Sequence, residues 1–112
     1  MIIRQAVPEE LQNARGGEGS VTRLMYEQMN QFGGQIKAFA VMDVPPGSSI
    51  GLHEHIDDME VYFMLDGMAE VTDNGEDNYL KAGDILVTVQ GETHSLKNKT
   101  DQNLTFFALI LQ

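Results

Sequence analysis

The strongest constraint on this chain is its punctuation. Eleven glycines and three prolines are spread so that a turn signal recurs about every eight to twelve residues. Between the signals lie short apolar-rich runs, the length of a strand and too short for an ordinary helix. Residues 2–7 could form a first short strand. Pro8-Glu9-Glu10-Leu11 reads as the first turn of a short helix, with proline early and acids near the positive end. Gly16-Gly17-Glu18-Gly19 breaks it. Strands are then expected over Ser20 to Asn30, Gln35 to Val44, Met59 to Leu65, Met68 to Thr72, Asp77 to Leu80, Ile85 to Val89, His94 to Asn98 and Leu104 to Leu111. Pro45-Pro46-Gly47-Ser48-Ser49 is a rigid connection that cannot lie inside a sheet. Asp66-Gly67 is a hairpin signal that would return 68–72 as the partner of the strand before it, and Asn74-Gly75 marks another tight turn. Nine or ten short strands with little helix make an all-β sandwich or barrel. The runs 61–65 and 104–111 are apolar on both faces, so one face can fill the barrel while the other packs on a second sheet or a partner subunit.

Two of the three histidines, His53 and His55, stand one residue apart between Gly47 and Gly67. On an extended strand they project side by side. Glu60 follows His53 by an odd number of residues, so an unbroken strand would aim it at the opposite face. Ile56-Asp57-Asp58 reads as a turn or bulge that resets the phase. The third histidine, His94, lies just past Gly91 on a separate strand. Three neutral imidazoles and a carboxylate converging from neighbouring strands suit a divalent transition metal. An isolated His-x-His also occurs by accident on exposed strands. Here the glycine punctuation and the single downstream histidine favour the ligand reading.

Composition narrows the classes. A chain of 112 residues fits one domain, spanning 1–112, with one modest core. Its net charge of −10 disfavours nucleic acid and anionic membrane surfaces as partners. The acidity suits a cation site, although solubility alone would explain it equally well. There is no cysteine, hence no disulfide, zinc knuckle or thiol catalysis. The first ten residues lack the apolar core of a signal peptide, and no apolar run approaches the roughly 20 residues of a membrane helix. Cytoplasmic residence is the expectation. The sequons at Asn98 and Asn103 are read as chance.

The glycine and histidine spacing resembles the cupin superfamily. Its first motif, G-x5-H-x-H-x3,4-E-x6-G, is matched at every position by Gly47, His53, His55, Glu60 and Gly67. Its second, G-x5-P-x-G-x2-H-x3-N, is matched by Gly83, Gly91, His94 and Asn98, with Val89 where the motif has proline. Fifteen residues separate the motifs at 47–67 and 83–98, a gap like that of small bacterial cupins. The resemblance implies a double-stranded β-helix, a jelly-roll-like barrel. It also implies that His53, His55, Glu60 and His94 hold one divalent metal, with manganese, iron, cobalt, nickel or zinc all compatible.

Cupins include dioxygenases, decarboxylases, isomerases and plain binding proteins, so fold constrains chemistry poorly. Oxalate decarboxylases usually carry an arginine three residues ahead of the first motif histidine, and here that residue is Ile50. Phosphosugar isomerases need more cationic groups than this chain offers, and sugar-sensing regulators need a further DNA-binding domain. Strand parity makes Tyr62 and Met64 candidates to face the pocket, with core packing as the plainer role for Met64. Arg23 and Lys37 could hold an anion or be solvated strand charges, while Glu54, Asp57 and Asp58 read as a solvated loop. Asn98 is expected to fix backbone around the second motif. The leading expectation is a metal-dependent enzyme, of dioxygenase, decarboxylase or isomerase type, acting on a small polar or carboxylate-bearing molecule. The alternative is a non-catalytic protein that captures a small carboxylate with the same metal, and a third reading is assembly with another protein. No residue beyond the ligands offers a convincing general base. A homodimer is expected.

Overall fold

The computed structural model describes residues 1–112. Ten strands follow in order: β1 (Val7–Gln12), β2 (Ser20–Met25), β3 (Ile36–Val44), β4 (Ser49–Glu54), β5 (Met59–Asp66), β6 (Met68–Asp73), β7 (Glu76–Lys81), β8 (Ile85–Thr88), β9 (Thr93–Lys97) and β10 (Leu104–Leu111). They build a six-stranded sheet, β1-β2-β3-β10-β5-β8, and a four-stranded sheet, β4-β9-β6-β7. Every pairing is antiparallel. The only helical turns are two short 3-10 segments, Ala14–Gly16 and Glu27–Gln31. The all-β barrel expected from the punctuation is the fold observed. No helix is long and apolar enough to cross a membrane.

Alternation explains the core. Tyr62 and Met64 of β5, Phe106 and Ala108 of β10, and Ala40 and Met42 of β3 point inward and are buried. Val71 of β6, Leu80 of β7 and Leu96 of β9 meet them from the other sheet in one cluster. Burying each of the larger apolar side chains among these contributes on the order of 1.5–3 kcal/mol, which sets the register of the central strands.

Three local expectations are corrected. Pro8 to Leu11 is not helical but lies in β1, paired with β2 from Val7↔Met25 to Gln12↔Ser20. The expected first strand at 2–7 accordingly gives way to one that begins only at Val7. The side chains decide this: the Glu10 carboxylate accepts from the Ser20 and Thr22 hydroxyls, and Glu9 pairs with Arg23 at 2.6 Å. Pro8 is tolerated because β1 is an edge strand.

Second, β2 stops at Met25 rather than running to Asn30. Glu27-Gln28-Met29-Asn30 has no alternating apolar series to bury. Tyr26 closes the strand by packing edge-on against Phe39, with centroids 5.9 Å apart.

Third, Asp66-Gly67 is not a hairpin. β5 pairs with β8 and β10, whereas β6 pairs with β7 and β9. Gly67, at φ 82°, is the corner where the chain passes from one sheet to the other. A Cβ there would lie 2.8 Å from Leu104 Cα, so the corner is wrapped against the start of β10. Asn74-Gly75 does make the β6–β7 hairpin, with φ 46° and 90°.

Candidate metal centre

Four side chains from three strands and one turn converge at one end of the barrel. His53 comes from β4, His94 from β9 directly opposite it, and Glu60 from β5. His55 lies one residue past β4 and stays extended because its backbone exchanges hydrogen bonds with Glu92 and Gly91. Between Ile50 and His53 the β4–β9 register slips: Gly51 and Leu52 oppose the single residue Ser95. This bulge lets Ile50 and His53, an odd number apart, both border the interior. Asp57 then takes a left-handed turn at φ 62°, which returns Glu60 to the same side as the histidines. The phase reset expected at 56–58 is thus present, and the bulge at Gly51 is an additional one.

The four donor atoms are close. His94 Nε2 lies 3.0 Å from His53 Nε2 and 3.1 Å from His55 Nε2. Glu60 Oε1 lies 3.0 Å from His55 Nε2 and 3.2 Å from His94 Nε2. All four ligand atoms fall within 4.8 Å of one another. The far side of each ring is already engaged. His53 Nδ1 donates to Gly51 O at 2.8 Å, and His55 Nδ1 donates to Asp58 Oδ1 at 2.7 Å. His94 Nδ1 lies 2.8 Å from Thr88 Oγ1. A carbonyl and a carboxylate can only accept, so the Nε2 lone pairs of His53 and His55 are turned to the common point.

This donor set fits a divalent metal. Three bare nitrogens this close to one another repel unless protons or a cation stand between them. Ligands about 2.1 Å from one ion lie about 3.0 Å apart when cis in an octahedron and about 3.4 Å apart in a tetrahedron. The four short separations, 3.0 to 3.2 Å, fit donors that would share one small divalent ion.

The electrostatics agree. Burial drives the Glu60 carboxyl upward, but hydrogen bonds and charge from His55 and His94 outweigh it and hold it below its usual range. The Glu60 hydrogen bond raises His55 against the effect of burial, with help from Asp58. Burial lowers His53. Asp58 is not the solvated loop carboxylate that its neighbours suggested. Its side chain is 7% exposed and bridges His55 to Lys37 Nζ at 2.8 Å. Burial works upward on its carboxyl, yet Lys37 and His55 bring the net shift down. Glu54 and Asp57 are exposed, as expected.

A cavity of about 110 Å³ opens beside the cluster. Tyr62 and Arg23 border it along with His53, His55 and Glu60. Met64 does not: it is fully buried, deeper in the core. Lys37 is spent on Asp58 and lies outside the cavity lining. Tyr62 stacks on His94 at 4.8 Å, and burial, then Glu60, pushes its phenol well above the ordinary value, so it stays protonated. Asn98 is buried and lies outside the His-Glu cluster. Its Nδ2 donates to Val44 O and Gln102 O at 2.8 and 2.7 Å, pinning the loop before β10.

Sequence reasoning missed Arg15, which also borders the cavity. The 13–17 segment crosses directly over β4, where a Cβ on Gly51 would run into the Arg15 carbonyl and one on Gly17 into the Ser49 carbonyl. The glycine cluster at 16–19 was the available signal, read only as a helix breaker.

With the geometry in place, the comparisons decide the family. The cupin-domain family pattern matches residues 40–110. The chain is a cupin. It is 39% identical over 113 residues to the oxalate-binding protein of Thermotoga maritima, covering 99% of this chain and 93% of that protein. It superposes on the crystal structure of a predicted oxalate decarboxylase from Thermotoga maritima with a TM-score of 0.89 at 40% identity, over 99% of this cupin and 98% of that chain. A conserved-barrel cupin protein from Salinispora arenicola matches with a TM-score of 0.73 at 26% identity, over 100% and 89% of the two chains.

Proposed function

We propose that this cupin captures a small dicarboxylate of the oxalate class on a divalent metal held by His53, His55, Glu60 and His94, without turning it over. One observation carries the choice of ligand: Arg15 and Arg23 border the same small cavity as the cluster, in a chain of net charge −10. Arg23 Nε is buried with no hydrogen-bond partner, a donor that a carboxylate oxygen would satisfy. Ile50 lines the cavity, and the cationic wall comes from the N-terminal segment instead of that position. The size agrees: a cavity of about 150 Å³ holds benzene, so 110 Å³ limits the ligand to a molecule smaller than that, which suits a short-chain acid. The relatives named for oxalate point the same way.

Binding is favoured over turnover because the cavity offers no spare acid or base. Its carboxylate and imidazoles are the metal's own donors, Tyr62 stays protonated, and the remaining polar groups are arginines. When bound, the metal supplies Lewis-acid attraction for carboxylate oxygens. The residues orient the anion and exclude water around it.

Calorimetry on protein loaded with Mn²⁺ tests this. Oxalate should bind to the loaded form and not to chelator-stripped protein, and no formate should appear on incubation. Binding without metal would contradict the site, and formate production would restore the decarboxylase reading.

We also propose a homodimer through the outer face of the six-stranded sheet. Two cross-strand rows there are wholly apolar: Ile85, Phe63, Phe107, Val41 and Leu24, and Val87, Val61, Leu109 and Phe39. Phe63, Ile85 and Val87 are exposed. The two rows cross five strands at about 4.8 Å spacing and cover about four residues along each, a flat apolar patch of roughly 250 Å² that would form the centre of such an interface. The patch carries no charge, while the rest of an acidic surface would repel a second copy. Sedimentation should give a dimer for the wild type and a monomer for Phe63→Lys. A monomeric wild type would refute this.

A further inference from the structure

We propose that Arg15 is a specificity-determining residue that selects dicarboxylates over monocarboxylates at the metal site. The inference rests on the binding reading above and goes beyond it by assigning the ligand's second carboxylate to a residue outside both sequence motifs.

The cavity has two cations in different situations. Arg23 stands on β2, and its terminal nitrogen is paired with Glu9 at 2.6 Å. It is a fixed wall. Arg15 borders the same cavity, is exposed, and forms no ion pair or side-chain hydrogen bond. Its whole guanidinium fork is therefore available to an anion.

The mount of Arg15 is rigid although its side chain is free. Asn13 and Arg15 both adopt left-handed backbone, at φ 51° and 52°, and Gly16 follows at φ 79°. Gly17 and Gly51 let the segment lie in backbone contact with β4, and Glu18 N donates to Ser49 Oγ at 2.8 Å. Such left-handed residues persist only where the surroundings hold them. A pinned backbone carrying an unpaired arginine is a clamp: it loses little chain freedom on closing and presents a planar pair of donors to a carboxylate. One carboxylate of a ligand would sit against the metal ligands. A second, bonded directly to the first in oxalate, would meet Arg15. A monocarboxylate would leave Arg15 unused.

Calorimetry with oxalate and with acetate, on Mn²⁺-loaded wild type, Arg15→Gln and Arg15→Lys, tests this. Bound manganese is measured on each variant to show the site intact. Charge-assisted hydrogen bonds of this type are worth about tenfold to hundredfold in affinity. Arg15→Gln should weaken oxalate by that factor and leave acetate unchanged, with Arg15→Lys in between. Equal oxalate affinity in wild type and Arg15→Gln, or equal weakening of both anions, would overturn the role of Arg15 alone. Manganese loading with no binding of either anion by the wild type would instead bring down the dicarboxylate reading, and this inference with it.

Discussion

Glu60, Tyr62 and Met64 lie on one face of β5, yet they serve two different ends of the barrel. Glu60 and Tyr62 border the cavity, among imidazoles and two arginines. Met64, one further step along the same face, is sealed at 0% exposure in the cluster with Leu96, Leu104 and Phe106. Parity along a strand tells which side of the sheet a residue faces. It does not tell how far down the barrel that residue sits. At one end imidazoles and a carboxylate satisfy one another beside a cavity, and at the other the side chains packed around Met64 are apolar and pack dry.

The two ends should therefore fail differently. The largest expected stability effect is at the dry end. Met64→Ala should lower unfolding free energy by about 2–5 kcal/mol through lost burial and the cavity left behind. Bound metal per folded chain should not change. Denaturant titration with metal analysis checks this, and a parallel loss of metal would mean the ends are coupled.

The smallest effect is at the edge of the six-stranded sheet, on exposed side chains of β1 and β2. Hydrogen bonds from Ser20 and Thr22 hold the Glu10 carboxyl below its usual value near 4.5. A depressed carboxyl stabilises the fold above its unfolded value and loses that contribution as pH falls through its lower folded value. Amide exchange in β1 and β2 should show wild-type protection over Glu10→Gln near neutral pH, and the difference should disappear once acid protonates the Glu10 carboxyl. A difference that persists in acid would point to packing rather than charge.

The candidate ligands were legible because they are local. His53, His55 and Glu60 fall within one turn-punctuated stretch, and His94 is the only other histidine. What was not legible depends on contacts between distant segments. Asp66-Gly67 has the chemistry of a hairpin and of a sheet-to-sheet corner alike, and only the fit of Gly67 against Leu104 separates them. The strand at Val7–Gln12 is made by partners on β2, which outvote a helix-like Pro-Glu-Glu start. Arg15 reaches the site because two glycines far apart in sequence let backbone lie on backbone. Asp58 looked like loop charge until Lys37, from another strand, neutralised it.

Everything proposed for the polar end rests on the metal. Elemental analysis of the protein as purified, and again after incubation with Mn²⁺ and removal of excess, tests it most directly beside His53→Ala. The account predicts about one equivalent of a divalent transition metal in the wild type and nearly none in the variant, with both folded at room temperature. Wild type that takes up no metal under either condition, or His53→Ala that holds as much, would contradict it.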